Sequence, residues 1–350
     1  MPKNEQIVDI EGKPVRISNL DKVMYPEAGF TKGQIIDYYV RIAPVLLPHL
    51  RGRPLTLKRY PNGVNGMFFY EKNCPAHRPE WVQTAPIWSP GNDKWMNYCL
   101  AQDLPTLVWA ANLADIELHT SLSLGSDPMR PSFIVFDLDP GEPANIVQCC
   151  QAGLWVRQIF AALGLESFPK NSGSKGLQVY VPLNTAVTYD ETKPFAHELA
   201  RVLERQHPDL IVSDMKKALR VGKVLVDWSQ NDDHKTTVCV YSLRAEARPT
   251  VSAPLKWEEV ERCRKQGDPN LLVFTSDQVL ERVAKFGDLF QPVLSTKQKL
   301  PSIEKLLALS PAQAGKAVVS RPPAKRTASA QERKRVMGKA AAKKTKTKSA

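Results

Sequence analysis

Hydrophobic positions along the chain follow two periods, an alternation typical of strands and a three-to-four spacing typical of helices. The two patterns are interspersed, which favours an α/β or α+β protein over a repeat protein or a coiled coil. The predicted strands are Ile7–Ile10, Val15–Ile17, Leu55–Arg59, Met67–Glu71, 133–137, 165–168, 177–181, 223–228 and 236–241. The predicted helices are Lys32–Leu47, capped by Thr31, then Asp103–Ala114, 144–163, 191–206, 256–265 and 276–286.

The strand that starts the stretch FIVFDLDPG (residues 133–141) leads from an apolar run into Asp137 and Asp139. Because strand side chains alternate, both carboxylates lie on one face about 7 Å apart, and Leu138 points to the other face. Such carboxylates repel each other, and burial raises the cost. A divalent cation such as Mg²⁺ or Mn²⁺ would compensate for their charge. The alternative is a strand end whose aspartates are solvated or cap the next helix, and this stretch alone does not decide.

The stretch NSGSKGLQVYVPL (residues 171–183) places a small Ser/Gly loop with one lysine directly before a strand. Backbone N–H groups, hydroxyls and an ammonium suit phosphate oxygens. The spacing is not that of a Walker A loop, and no helix follows. Serine and glycine turns before strands are also common, so a plain turn is the alternative.

A third stretch, KALRVGKVLVDWSQN (residues 217–231), again ends an apolar strand in an aspartate, Asp227, with Arg220 and Lys223 just upstream. Alone, Asp227 could be a surface strand end. If the strands are neighbours, however, three carboxylates, a Ser/Gly/Lys loop and nearby cations supply the groups for two-metal phosphoryl transfer. In that chemistry two ions activate an attacking 3′-hydroxyl and stabilise the leaving pyrophosphate.

Composition narrows the class of protein. At 350 residues the chain can form one large domain or two small ones. Its first residues, MPKNEQIVDI, contain no apolar signal sequence, and no run approaches the ~18 apolar residues of a transmembrane helix. None of the six cysteines forms a C-x-x-C pair. We therefore expect thiols that fill the core in a reducing cytosol, rather than a zinc site or a disulfide framework.

The positive charge of the chain is concentrated at its end. Of the formal net charge of +12, residues 321–350 carry eleven Lys/Arg and one acid, which leaves about +2 for the rest. From about Ser310 onward the sequence is rich in Ala, Lys, Pro and Ser, which predicts disorder. Basic tails of this kind usually hold nucleic acid through phosphate charge. A solubilising extension without a partner is the alternative.

The motifs FDLDPGE, SGSKGL and VLVDWSQN, in this order and spacing, resemble the polymerase domain of bacterial ligase D, of the archaeo-eukaryotic primase superfamily. NLDKVMYP, KRYPNGV, FFYEK, LVWAANLADIELH, YSLRAEARP and GDLF match as well, so that the resemblance covers about residues 15–295. It implies an α+β primase-polymerase core, with two mixed or antiparallel sheets flanked by helices around one active cleft. We expect this domain over residues 1–300 and a disordered basic tail over 310–350.

The resemblance also implies roles for individual residues. Asp137, Asp139 and Asp227 would be catalytic and would bind two ions, Mn²⁺ or Mg²⁺. The nucleoside triphosphate would be held by Lys58, His119, Ser172, Lys175, Gln178, Arg220, Gln230 and Arg244. Lys22 and Lys32 match lysines that bind the 5′-phosphate of the downstream DNA strand, and Phe68 and Phe69 match aromatics that stack on template bases beside Arg59 and Lys72. The alternatives are surface cations for the two lysines, a core histidine for His119 and partly buried phenylalanines.

One residue departs from the family pattern. Gln178 stands in SGSKGLQVY where the family usually has histidine. A charged imidazole can donate to phosphate, whereas an amide donates a neutral hydrogen bond that is weaker by roughly twofold. Gln178 could contact the nucleotide or reduce activity, and the three aspartates remain in place.

The function implied is a template-dependent nucleotidyltransferase that extends primer ends or fills gaps at DNA breaks, with Mn²⁺ and a preference for ribonucleotides. Its partners would be DNA with primer-template, gap or break ends and nucleoside triphosphates. Binding to a Ku-like protein and a DNA ligase stays open. We expect a monomer, associated with the nucleoid and not with a membrane. The alternatives are a DNA-end bridging protein with a degraded site, and a metal-dependent nuclease, for which no general base is evident.

Overall fold

The computed structural model describes residues 5–309, and the tail predicted at 310–350 lies outside these residues. The strands are β1 Glu5–Ile10, β2 Lys13–Ser18, β3 Val23–Tyr25, β4 Phe30–Thr31, β5 Leu55–Arg59, β6 Phe69–Glu71, β7 Thr84–Ser89, β8 Lys94–Cys99, β9 Asp115–Thr120, β10 Ser123–Leu124, β11 Asp127–Pro131, β12 Phe133–Pro140, β13 Phe168–Asn171, β14 Leu177–Pro182, β15 Ile211–Val212, β16 Val224–Asp227 and β17 Thr237–Val238. The helices are α1 Lys32–Leu50, α2 Leu104–Asn112, α3 Ile146–Ala162, α4 Tyr189–Gln206, α5 Trp257–Gln266, α6 Ser276–Phe286, α7 Pro292–Ser295 and α8 Ile303–Leu307.

A five-stranded sheet in the order β13-β14-β12-β16-β15 forms one half of the fold. Its pairs are antiparallel except β15 with β16. Along β12, Ile134, Phe136 and Leu138 pack into a core with α3 and α4, whereas Phe133 and Val135 belong to the second core. The odd-numbered positions of β12 therefore face away from these helices, toward the other half.

The second half is a six-stranded sheet in the order β17-β9-β5-β8-β7, with β6 also paired to β5. Helix α1 packs here through Tyr38 and Tyr39, whose hydroxyls donate to the carbonyls of Tyr241 at 2.7 Å and Ile116 at 2.6 Å. None of the helices within residues 5–309 has the length and hydropathy of a membrane span. The two sheets with their helices confirm the expected α+β architecture.

Most predicted elements are present, with changed boundaries. The Thr31 cap is confirmed, because its hydroxyl accepts from the N–H of Gln34 in a capping box. The strand predicted to end at residue 137 continues to Pro140, so both aspartates lie inside it. The strand predicted at 165–168 instead runs over Phe168–Asn171. It continues through Lys170 and Asn171, which are polar but buried. The strand predicted at 236–241 contracts to Thr237–Val238, and β7, β8, β9 and β15 have no predicted counterpart.

The cysteines differ from expectation in one pair. Cys149, Cys150, Cys239 and Cys263 are buried thiols, as predicted. Cys74 and Cys99, however, form a disulfide with their Cα atoms 5.0 Å apart, so the expectation of six thiols is wrong for these two. The disulfide follows from the strand order. Strand β9 pairs with one edge of β5, so β6 and β8 both pair with the other edge. The chain that leaves β6 therefore reaches the end of β8.

Candidate active site

Three carboxylates lie on the face of the five-stranded sheet that is turned away from α3 and α4. Asp137 on β12 is paired with Gln178 of β14 on one side and with Asp227 of β16 on the other. Cross-strand partners share a face of a sheet, and Asp139 follows two residues later on the same face. The strand order thus brings together the two acidic motifs that lie ninety residues apart in sequence.

The electrostatics of this group indicate a missing positive charge. Burial, followed by the charge of Asp139 and that of Asp227, raises the pKa of Asp137 to about 8, although the amide of Gln178 and the ammonium of Lys170 act in the opposite direction. Burial and the charge of Asp227 also raise the pKa of Asp139. The Oδ1 atom of Asp137 is shielded from solvent and has no hydrogen-bond partner. Hard, unpartnered carboxylate oxygens that repel each other fit a divalent cation such as Mg²⁺ or Mn²⁺.

Asp227 is held in a fixed orientation by the turn that follows it. Its Oδ1 accepts hydrogen bonds from the N–H of Ser229 at 2.8 Å and from its hydroxyl at 2.6 Å. Its Oδ2 accepts from Nε2 of Gln230 at 3.0 Å. Gln230, predicted to contact the nucleotide, is therefore tied to the carboxylate group and also lines the cleft.

The raised pKa of Asp137 predicts that the metal-free protein loses stability as the pH rises. An unfolded aspartate ionises near pH 4, whereas folded Asp137 keeps its proton up to about pH 8. This group's contribution to the free energy of unfolding is therefore largest below pH 4 and declines toward pH 8. In chelator, Asp137→Asn should raise the melting temperature over wild type by about 3 °C or more at pH 8, and by less at pH 5. Equal shifts at both pH values would contradict the prediction.

A cleft of about 750 Å³ lies over Asp137 and Asp139 and is lined by most of the predicted site residues, although Asp227 and Lys58 are not among them. Those lining it are Lys72, His119, Asp137, Asp139, Ser172, Lys175, Gln178, Arg220, Gln230 and Arg244. The sequence did not single out Tyr70, Asp232 or His234, which line it as well. Lys72 donates to the carbonyl of His234 at 3.3 Å, which connects two walls of the cleft.

Residues 172–176, named here the phosphate loop, are folded around the hydroxyl of Ser172. Its Oγ accepts from the N–H groups of Ser174 at 3.2 Å and Gly176 at 3.0 Å. A Cβ on Gly176 would approach the carbonyl oxygen of Leu138 to 2.6 Å, so only glycine lets the loop lie directly on the strand of the aspartates. Triphosphate bound at this loop would therefore lie beside the carboxylate group.

Two of the predicted cations, Lys175 and Arg220, lie at the edge of the cleft. The Nζ of Lys175 is 2.9 Å from Oε1 of Glu142, and both side chains are largely exposed. An exposed ion pair contributes little, so this lysine can exchange Glu142 for phosphate at low cost. The guanidinium of Arg220 donates to the carbonyl of Met215 and lines the cleft.

Glu117, a residue not predicted from the sequence, links three of the predicted nucleotide-binding residues: the cations Lys58 and Arg244, and His119, whose pKa is lowered by burial. Its Oε2 lies 3.1 Å from Nζ of Lys58, 2.9 Å from Nε2 of His119 and 3.3 Å from Nε of Arg244. Burial alone would raise the pKa of Glu117, but the hydrogen bond from His119 and the charges of Arg244 and Lys58 hold it well below its usual range. The sequence signal that could have identified Glu117 is its alternation with Asp115 and His119 along β9.

Lys22 and Lys32 meet at the N-terminus of α1, apart from the carboxylate group. Lys32 is buried, and its Nζ donates to the carbonyl of Ser18 at 2.7 Å. Burial, together with the charge of Lys22, lowers the pKa of Lys32 to about 8. The exposed Lys22 donates to the carbonyl of Pro61 at 2.6 Å. Two cations that repel each other at a helix N-terminus suit a phosphate, and the alternative of a plain surface cation is wrong for Lys32.

Phe68 and Phe69 are 50% and 43% exposed, so both are partly buried, as the alternative states, and both also present an exposed part of the ring. Nζ of Lys58 lies 4.7 Å from the ring centre of Phe68, and the guanidinium of Arg59 lies 5.2 Å from that of Phe69. Arg59 is further paired with Glu71 at 2.7 Å. Exposed aromatic rings with cations above them are the arrangement that single-stranded bases stack on.

Comparison with known proteins gives one consistent result. The family model described as "LigD, primase-polymerase domain" matches residues 31–290. The chain is 40% identical over 281 residues to the multifunctional non-homologous end joining protein LigD of Mycolicibacterium smegmatis. The matched region covers 80% of this chain but only 36% of that protein. The chain is 33% identical over 280 residues to the bifunctional LigD of Bacillus subtilis, covering 79% of this chain and 44% of that protein.

A solved structure, the polymerase domain of Mycobacterium tuberculosis Ligase D in complex with DNA, superimposes with a TM-score of 0.73 at 39% identity. The match covers 81% of this chain and 98% of that one. The chain thus spans about a third to a half of the length of these LigD relatives, and it matches nearly all of the solved Mycobacterium tuberculosis polymerase domain. It belongs to the LigD primase-polymerase domain family.

Proposed function

We propose that the chain is a metal-dependent nucleotidyltransferase that extends primer ends and fills gaps at DNA breaks, directed by a template strand. The observation that carries this proposal is the contact between the phosphate loop and the strand of Asp137 and Asp139 in one cleft. The proposal is supported by the DNA complex of the related polymerase domain and by the end-joining role in the names of the LigD relatives.

Asp137, Asp139 and Asp227 would hold two ions, Mn²⁺ or Mg²⁺, which supply charge stabilisation to a 3′-hydroxyl and to a leaving pyrophosphate. The ammonium of Lys175 and the guanidinium groups of Arg220 and Arg244 would neutralise the triphosphate.

The DNA would cross the two groups of cations and aromatic rings described above. Lys22 and Lys32 would bind the 5′-phosphate on the far side of a gap, while Phe68 and Phe69 would stack on template bases beside Arg59 and Lys72. We further propose a preference for ribonucleotides, a monomeric domain over residues 1–300 that acts in the cytoplasm at the nucleoid, and cooperation with a Ku-like protein and a DNA ligase.

The test is primer extension on DNA with a short gap. We would compare Mn²⁺ with Mg²⁺, ribo- with deoxyribonucleotides, and a 5′-phosphate with a 5′-hydroxyl at the far side of the gap. We expect templated addition that is faster with ribonucleotides and tighter binding with the 5′-phosphate. Binding without addition under all conditions would overturn the proposal in favour of an end-bridging protein, and nucleotide-independent shortening of the DNA would favour a nuclease.

Removing residues 310–350 is expected to weaken DNA binding and to reduce its dependence on salt. Eleven Lys/Arg follow residue 320, and each phosphate contact that is lost lowers the slope of log K against log [salt] by about 0.9 on duplex DNA. The measurement is fluorescence anisotropy with gapped DNA from 50 to 300 mM salt. An unchanged slope would contradict a role of the tail in DNA binding.

Gln178→His is expected to lower the KM for the nucleotide several-fold. Gln178 lies beside Asp137 and lines the cleft, and a charged imidazole there would donate to a phosphate oxygen more strongly than the amide does. Gln178→Leu, which has no donor, is the matched control and should raise the KM. Equal KM values for all three proteins would mean that this position does not face the triphosphate.

A further inference from the structure

One segment of the chain, residues 244–252, supplies donors to three consecutive carbonyl groups at the start of the phosphate loop. The pairs are Ser252 Oγ to the carbonyl of Asn171 at 2.9 Å, Arg244 Nη1 to that of Ser172, and Thr250 Oγ1 to that of Gly173 at 2.6 Å. The loop backbone is therefore held by hydrogen bonds from this segment. Arg244 also lines the cleft, whereas Thr250 and Ser252 do not.

The hydroxyl of Ser252 is oriented by a buried lysine. Nζ of Lys170 donates to Oγ of Ser252 at 2.6 Å, so the single hydroxyl hydrogen is left for the carbonyl of Asn171. Lys170 and Ser252 are both fully buried, and among residues 5–309 no carboxylate forms an ion pair with Lys170. A donor to the hydroxyl oxygen polarises the hydroxyl and strengthens the hydrogen bond that it makes next.

The fit between the loop and this segment leaves no space for displacement. A Cβ on Gly173 would lie 2.6 Å from Cγ of Arg244 and 2.7 Å from the backbone nitrogen of Ser252. Gly173 also has a positive φ of 72°, which favours glycine. The backbone of the loop thus lies in contact with the donors, and its position depends on them.

We propose that Thr250, Ser252 and Lys170, named here the brace, are positioning residues that hold the phosphate loop in the shape that binds triphosphate. The inference rests on the proposed function and deepens it. None of the three lines the cleft, so they act through the loop and do not touch the nucleotide. Loss of a brace contact should weaken nucleotide binding and leave the carboxylates and the DNA surface unaffected.

The sharpest test compares Thr250→Val with Thr250→Ser. Valine keeps the shape but removes the donor to Gly173, and serine keeps the hydroxyl. The readout is calorimetric binding of a non-hydrolysable ribonucleoside triphosphate with Mn²⁺, together with KM and kcat for extension. Thr250→Val should raise the dissociation constant and the KM about 5- to 30-fold, with kcat at saturation within about twofold. Thr250→Ser should stay near wild type, and affinity for gapped DNA should not change.

A second variant, Ser252→Ala, removes the relay from Lys170 and should shift nucleotide affinity in the same direction. If Thr250→Val binds the nucleotide as tightly as the wild type does, the brace proposal is overturned and the proposed function is unaffected. An equal loss of nucleotide affinity, DNA affinity and melting temperature would also overturn the brace proposal, since that is the result of a merely structural role. If the wild-type protein binds no triphosphate in calorimetry, the proposed function fails and the brace fails with it. This result differs from failure of the brace alone, in which the wild type binds triphosphate and the variants bind it equally well.

Discussion

Asp137→Asn is expected to reduce nucleotide addition by about 10³-fold or more while stabilising the protein in the absence of metal. A metal ion at the reacting oxygens contributes several kcal/mol to the barrier, and an amide is a poor replacement for the carboxylate that holds it. Above about pH 8, where Asp137 loses its proton in the metal-free protein, the same change also removes one of the mutually repelling charges beside Asp139 and Asp227. Rate and stability should therefore change in opposite directions, which is typical of a site whose charges serve function and not folding.

The measurements are single-turnover extension and thermal unfolding, the latter with and without Mn²⁺. Mn²⁺ should raise the melting temperature of the wild type and have little effect on Asp137→Asn. Asp127→Asn, at an exposed carboxylate outside the cleft, is the matched control and should behave as wild type. Retained addition in Asp137→Asn would remove this carboxylate from the proposed metal site.

Glu117→Gln is expected to cost about 3–5 kcal/mol of unfolding free energy and most of the nucleotide affinity. Glutamine has the same shape but leaves the half-buried cations Lys58 and Arg244, beside His119, without the buried carboxylate that they share. Breaking a buried ion pair by removing one partner has a cost of this size. Because the pKa of Glu117 is depressed, its contribution is present above about pH 4 and is lost as the pH falls further.

Asp115→Asn provides a matched control at a buried carboxylate on the same strand as Glu117. Burial raises the pKa of Asp115 well above its usual range, which favours its neutral form. Its replacement by a neutral amide should change the unfolding free energy by less than about 1 kcal/mol. Chemical denaturation of the two variants at pH 5 to 7 is the measurement. A similar loss of unfolding free energy in Glu117→Gln and Asp115→Asn would show that the strand tolerates no change at either position. That result would contradict the specific role of Glu117.

The local part of the site could be predicted from the sequence. The alternation of FDLD places Asp137 and Asp139 on one face whatever the rest of the fold does. SGSKG predicts a loop, and this loop is found directly beside the aspartates. The neighbouring position of Asp227 depends on strand order, which no local pattern contains, and it followed only from the family resemblance.

Buried charges explain what could not be predicted. Glu117 contacts the backbone of Ala245, 128 residues away, and Lys170 contacts Ser252, 82 residues away. In the sequence both are polar residues near strands, and their burial depends on partners that arrive late in the chain. The strand at Phe168–Asn171 was misplaced for the same reason, since a buried lysine and asparagine resemble a loop.

The most direct test of the account is anomalous diffraction from crystals with Mn²⁺ and a non-hydrolysable ribonucleoside triphosphate. We predict two manganese peaks among Asp137, Asp139 and Asp227, with the triphosphate along the phosphate loop. The competing group is Asp232, Asp233 and His234, whose ligand atoms lie within 4.8 Å of one another. The charge of Asp232 is already compensated by Lys193, which lowers its pKa despite burial. Manganese at that group, with none at the three aspartates, would contradict the proposed active site.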